Sequence, residues 1–483
     1  MAKKGSVEKM IHALDKGEKR YFKLFCRFQS GNKQYLELFD LIGSKSSENN
    51  RPLKALECTD LAVTKNYLGR LVLKSLKSYH EGKTKRSEIL HLLLETEVLF
   101  QKELYDLCLH KLKKARRIAF EYENHSLLLE VLSWERRLIN TTATEGAKRV
   151  KEEIMALEAK TVDVLDNYNK YNQLVHELLQ QDFSDRQLML EYLQHPLLQS
   201  KDFAKSFSAL TLYYHLHYIL NTLTRQGKKG CMALEALIKL MESAPHRIED
   251  DPDPYVTALN NLMSMMLFDR ETGKAVPILK KIRSIPSQYH LKQKNYTQRI
   301  FLKTYNVELE LYRDLKAWDQ ALKLMTEIRT FLDAQGVPNK YQVSFHYQFA
   351  YIYFQLKEYS QSLAMINHLL NENYGQDRAD LQTYARFLLL MVHFELGNII
   401  VLKYAVENTR RFLKKRRGSL LNFESALLKF FAKVSLAPSR EYQDHFKELS
   451  TALFQGHSKE QRANILDYID FESWIHSKLI DTF

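Results

Sequence analysis

Histidine, cysteine and carboxylate residues are common enough in this chain to carry metal or acid–base chemistry, but their spacing argues against it. Of 17 histidines, the nearest to a metal motif is His176-Glu177-Leu178-Leu179-Gln180, which lacks the second histidine one turn on that would complete a zinc site. His215 and His217 are two residues apart, so on a helix they point about 200° away from each other and cannot share an ion. The acidic run Glu249-Asp250-Asp251-Pro252-Asp253 has prolines where a calcium loop must bend, and no bidentate glutamate follows at the required distance. Gly227-Lys228-Lys229-Gly230 lacks the spacing of a phosphate-binding glycine loop. The four cysteines, Cys26, Cys58, Cys108 and Cys231, form no close pair, which fits buried packing residues in a reducing compartment. With no nucleophile elbow, paired-carboxylate signature or kinase set, the expectation is a non-enzymatic protein needing no cofactor and no metal.

Binding is the alternative use of these side chains. A short helix over residues 53–61 followed by a longer basic one over 64–80, begun by a Thr64 cap, has the outline of a helix-turn-helix. Its second helix would offer Lys65, Asn66, Arg70 and Lys74 to nucleic acid. An ordinary capping pair of helices has the same outline. Two further basic clusters, Lys111–Arg117 and Arg410–Arg417, suit phosphate or an acidic surface, and equally suit helix ends, where cations meet the negative end of the dipole.

The elements that must position these groups are helices. Among 483 residues there are only 15 Gly and 9 Pro, far below average usage, so tight hairpins between strands are scarce. Hydrophobic residues make up 45%, enough for substantial cores, and 71 basic against 58 acidic residues leave a formal charge of +13. The charged start has no apolar signal segment, and no apolar run reaches the roughly 20 residues of a membrane span. The reading is a soluble, cytoplasmic, all-α protein with no membrane association. Breaks in the periodicity divide it into an N-terminal helical block (1–84), a helical array (85–437) and capping helices (438–483).

The array carries an internal repeat. From joints placed at Gly230, Thr272, Trp318, Tyr359 and Ile399, small or apolar residues recur at similar offsets: Ala275 and Val276, Ala321 and Leu322, Ser362 and Leu363. Helix pairs that cannot hide their apolar faces alone stack on their neighbours. Phe349, Ala350, Tyr353, Leu356, Tyr359, Ser362, Ile366 and Leu369 resemble a tetratricopeptide-type repeat, as do Leu309, Tyr312, Leu315, Trp318, Ala321 and Met325. The spacing is longer than that family's, and most copies lack its closing proline. The resemblance covers about 87–413 and is closest over 302–370. It implies a right-handed superhelical α-solenoid of antiparallel helix pairs, a scaffold or adaptor whose concave groove binds a protein or peptide. The family template puts Tyr312 and Tyr353 in the core, and Lys303, Asn306, Glu310, Tyr347 and Tyr351 on the groove face. A nucleic-acid-binding regulator built on the N-terminal block is the alternative.

Overall fold

The computed structural model describes residues 6–27, 34–43, 61–142, 147–183, 185–291, 294–332, 337–372, 374, 378–454 and 468–480. Among them every regular element is helical and no strand occurs, as the scarcity of turn formers requires. The chain divides into two compact units, 1–268 with 280–300 and 269–279 with 301–483.

The first unit opens with α1 (Ser6–Ala13), α2 (Lys16–Arg27), α3 (Gln34–Gly43) and α4 (Leu61–Tyr79), packed round Ile11, Phe22, Phe39, Leu68 and Val72. A reciprocal cap starts α2: Glu18 N donates to Asp15 Oδ1 (2.7 Å) and Asp15 N donates to Glu18 Oε2 (2.8 Å), satisfying two backbone donors the helix leaves open. Thr64, expected as a cap, lies inside α4 instead, because Leu61, Ala62 and Val63 extend the helix by a turn. Then come α5 (Lys85–Gln101), α6 (Tyr105–Glu121), α7 (His125–Thr142) and α8 (Ala147–Leu179), sharing a core around Ile89, Cys108, Leu112 and Val131. The far end of α8 packs with α9 (Arg186–Leu193) and α10 (Phe207–Leu223) around Tyr171, Leu174 and Leu216. α11 (Gly227–Glu242), α12 (Pro245–Asp250) and α13 (Asp253–Phe268) follow, and the division between the units falls within α14 (Thr272–Gln288) and α15 (Lys294–Asp314).

The second unit continues with α16 (Trp318–Leu332), α17 (Asn339–Gln355), α18 (Tyr359–Asn371), α19 (Ala379–Glu395), α20 (Ile399–Arg417), α21 (Asn422–Val434), α22 (Tyr442–Phe454) and α23 (Phe471–Ile480). Val343 through Phe354 are all buried, so α17 is enclosed on every side, as an apolar-all-round sequence demands. One continuous core runs from Val343 to Ile475 and takes in α23.

Four of the five expected joints fall at helix starts: Thr272, Trp318, Tyr359 and Ile399 begin α14, α16, α18 and α20. The fifth is corrected. α11 begins at Gly227, so Gly230 sits one turn inside it, at the position taken by Ala321 in α16 and Ser362 in α18. A slip of three residues keeps the same helix face, and periodicity alone does not detect it.

The joints themselves repeat in detail. The residue two before each of α6, α7, α11, α14, α16, α18 and α20 has positive φ: Glu103, Glu123, Arg225, Arg270, Lys316, Lys357 and Gly397. At Lys357 the amide donates to Phe354 O (3.0 Å), and the next amide, of Glu358, to Tyr353 O (2.9 Å). The same pair of bonds recurs at Glu103, Glu123, Arg225, Lys316 and Gly397. This left-handed C-cap closes one helix and launches the next, and six of the seven are not glycine.

Candidate functional site

The residues expected to line a groove lie on α15 and α17. Lys303, Asn306 and Glu310 follow one stripe of α15 and are half-buried. Asn306 presents a buried side-chain carbonyl oxygen with no hydrogen-bond partner. An acceptor left in that state costs about 1–3 kcal/mol.

Glu310 leads to α17. Its carboxylate lies 3.5 Å from the Arg313 guanidinium, whose Nε donates to Asp314 Oδ1 (3.2 Å). Burial opposes the charge of Arg313, yet Glu310 and Asp314 together hold its pKa above the ordinary value. The same guanidinium stands 5.5 Å from the Tyr351 ring centroid. Glu310, Arg313 and Tyr351 therefore form a connected polar row.

Tyr347 and Tyr351 are 2% and 4% exposed, so neither presents a ring to solvent. Their hydroxyls are engaged by the end of the chain: Tyr347 donates to Tyr468 O (2.7 Å), and Tyr351 accepts from Asp470 N (3.1 Å). Burial pushes both phenols up, with Arg313 pulling the other way. The Tyr468 ring stacks on Tyr384 at 4.3 Å between centroids, and its hydroxyl donates to Asp380 Oδ2 (2.8 Å). Burial works to raise the Asp380 pKa, but hydrogen bonds from Arg378 and Tyr468 and the Arg378 charge hold the carboxyl below its ordinary value. Further along, Glu395 accepts from Trp474 Nε1 (2.7 Å) and from Lys478 Nζ (2.9 Å). Phe471, Trp474 and Ile475 drive into the core beside Phe430, Phe431 and Phe446.

The expected set thus separates into two roles. Lys303, Asn306 and Glu310 stay on a partly open face, while Tyr347 and Tyr351 anchor residues 468–470. Tyr353 is buried and Tyr312 half-buried; Tyr312 donates to Glu308 Oε1 at 2.9 Å. Sequence reasoning missed Arg313, Asp380 and Glu395, because their partners Tyr351, Tyr468 and Trp474 lie far along the chain. The one available signal was Trp474-Ile475 near the chain end, which marks a packed segment.

The nucleic-acid candidates sit on α4. Asn66, Arg70 and Lys74 are exposed at four-residue spacing along one face. Lys65 turns aside to Glu8 Oε1 at 2.6 Å. Of the first helix of the expected helix-turn-helix, over 53–61, residues 53–60 lie outside the described residues, as do Cys58 and most of the 43–52 loop, while Leu61 begins α4. No three His, Cys, Asp or Glu side chains among the described residues converge to hold a metal ion. No helix among them is long and apolar enough to cross a membrane.

In comparison with known proteins, no family model matches the sequence and no curated protein matches it.

Proposed function

We propose that this chain is a non-enzymatic helical-repeat scaffold, a right-handed tetratricopeptide-like solenoid that holds a protein or peptide partner against α15. The observation that supports this most is the half-buried polar row Lys303, Asn306 and Glu310 along one stripe of α15. A side-chain amide such as that of Asn306 is suited to hydrogen-bond a peptide backbone once it turns outward, and the flanking charges of opposite sign fix the direction of the bound chain. The rigid helices are ordered in advance, so the partner is gripped with little loss of conformational freedom on this side. Tyr347 and Tyr351 act beneath this face, holding the C-terminal segment against α17.

Affinity capture with the full chain tests the reading. Asn306→Ala removes the acceptor and Lys303→Glu reverses one flanking charge; each should release partners that the unaltered chain retains. Identical partner sets for all three proteins would rule the α15 face out.

A second reading, nucleic-acid binding through α4, draws on the exposed row Asn66, Arg70 and Lys74. Arg70→Glu with Lys74→Glu should then abolish retention of duplex DNA at low salt, since each lost phosphate contact also flattens the salt dependence. Unchanged retention excludes it.

A further inference from the structure

The outward face of α20 is left exposed among the described residues. Ile400, Tyr404, Arg411 and Lys415 fall within about 60° of one another around the helix axis, on a stripe about 22 Å long. Its first half exposes apolar side chains: Ile400 is 77% exposed and Tyr404 68%, with Val401 beside them at 48%, while exposed Lys403 borders them and Glu407, paired with Arg410, separates them from the second half. Its second half is basic, with Arg411, Lys414 and Lys415 exposed.

Arg410 and Arg416 have partners, and these three have none among the described residues. Arg410 bonds Glu407 (2.7 Å), and Arg416 donates to Ala379 O and Thr383 Oγ1, both 2.6 Å away. No carboxylate among the described residues lies in ion-pair range of Arg411, Lys414 or Lys415. Like charges at three- and four-residue spacing repel by a few tenths of a kcal/mol per pair. The helix dipole compensates only its last turn, which Gly418 ends in a left-handed C-cap.

We propose that this face docks an acidic amphipathic helix of a partner protein, lying antiparallel to α20. Antiparallel alignment sets the partner's first turns over Arg411, Lys414 and Lys415, where its own dipole also favours Asp and Glu. Two turns further along, leucine-type side chains would cover Ile400, Val401 and Tyr404. The end-to-end order of the two halves selects this occupant. On a membrane surface cations flank the apolar stripe at its sides; here Arg411 and Lys415 would aim into the same hydrocarbon layer as Ile400. A nucleic-acid backbone would engage the cations and leave the apolar half uncovered. The surface is separate from the α15 face, so either can fail alone.

The test uses the full chain and a fluorescein-labelled, alanine-based helical peptide with glutamates in its first two turns and leucines in its last two. Anisotropy at low salt should give saturable binding that weakens as salt rises. Arg411→Glu with Lys415→Glu, and separately Ile400→Ser with Tyr404→Ser, should each weaken it by about tenfold or more, equal to about 1.4 kcal/mol. All four side chains are exposed, so the folds of these variants should match the parent by circular dichroism. A peptide with lysines replacing its glutamates should bind the Arg411→Glu, Lys415→Glu variant better than the parent. No binding to the parent, or equal binding to either variant, overturns the proposal. So does tighter retention of phosphatidylserine vesicles or duplex DNA than of the peptide, when that retention is lost with Arg411 and Lys415.

Discussion

Ser362 Oγ donates to the carbonyl of Ala350, 2.8 Å away and twelve residues back across the α17–α18 hairpin. The same interval joins Cys108 Sγ to Thr96 O at 3.6 Å across α5–α6. It also joins Gly230 to Tyr218, whose carbonyl a Cβ on the glycine would meet at 3.5 Å. Ala321 holds the equivalent place twelve residues after Leu309, and both are fully buried. All four places hold small residues, and the side chains of Cys108, Ala321 and Ser362 are fully buried between the paired helices.

Ser362 is therefore the place to test the hairpin. Ser362→Leu should cost about 1–3 kcal/mol by overpacking. Ser362→Ala should cost about 1 kcal/mol, since the Ala350 carbonyl keeps its place within α17. Urea unfolding monitored by circular dichroism measures both. A leucine variant as stable as the parent would mean that the hairpin is loosely packed.

The left-handed joints give a gain instead of a loss. Lys316 and Lys357 hold φ of 53° and 61°, a region that costs a side-chain-bearing residue about 1–2 kcal/mol. Lys357→Gly should stabilise the chain by roughly 0.5–1 kcal/mol after glycine's extra unfolded-state freedom is subtracted. Lys357→Val, β-branched at the same φ, should destabilise it. A glycine variant with a lower unfolding midpoint would contradict this account of the joint.

These joints also explain what could be read from the residues. The helical class and the starts of α14, α16, α18 and α20 followed from apolar periodicity, because the buried faces of these helices repeat small and apolar residues at three- and four-residue spacing. Gly230 was read three residues out of register because a helix face repeats at three or four residues. The C-caps were invisible, since glycine is their usual marker and here Lys, Glu and Arg adopt the left-handed region. Tyr347 and Tyr351, expected on an open groove face, are instead buried and bonded to Tyr468 and Asp470. No local pattern revealed that residues more than a hundred positions later cover them.

Glu395 should govern how firmly that cover is held. Its carboxylate receives Trp474 and Lys478 in a site where both charged side chains are largely buried. Glu395→Ala leaves an ammonium uncompensated and an indole N–H without its acceptor, at a cost of about 3 kcal/mol. Tryptophan emission should shift to the red, and limited proteolysis should cut near 468–480 sooner than in the parent. Glu395→Gln keeps an acceptor for Trp474 and should lie between the two. An unchanged spectrum and cleavage pattern in the alanine variant would show that apolar packing of Phe471 and Ile475 suffices.

Acid should weaken the second unit through His346. Burial is the main cause that depresses its pKa to about 4, with the neighbouring His368 ring, 4.3 Å away, acting in the same direction. A hydrogen bond between Nδ1 and Gln342 O (2.8 Å) opposes the shift only in part. In the unfolded chain the imidazole titrates near its ordinary value of 6.5. Between these two values the unfolded state binds more protons, so stability rises with pH. The contribution is complete above about 6.5 and is lost as pH falls towards 4, amounting to up to about 3 kcal/mol. His393, in the same unit, is depressed by burial as well and adds a slope of the same sign, while His215 and His217 act likewise in the first unit. His346→Asn keeps a donor for the Gln342 carbonyl but carries no titrating group. Denaturant midpoints measured from pH 7.5 to 4 should fall less steeply for that variant than for the parent. If the two slopes coincide, His346 is not the group that couples protonation to folding here.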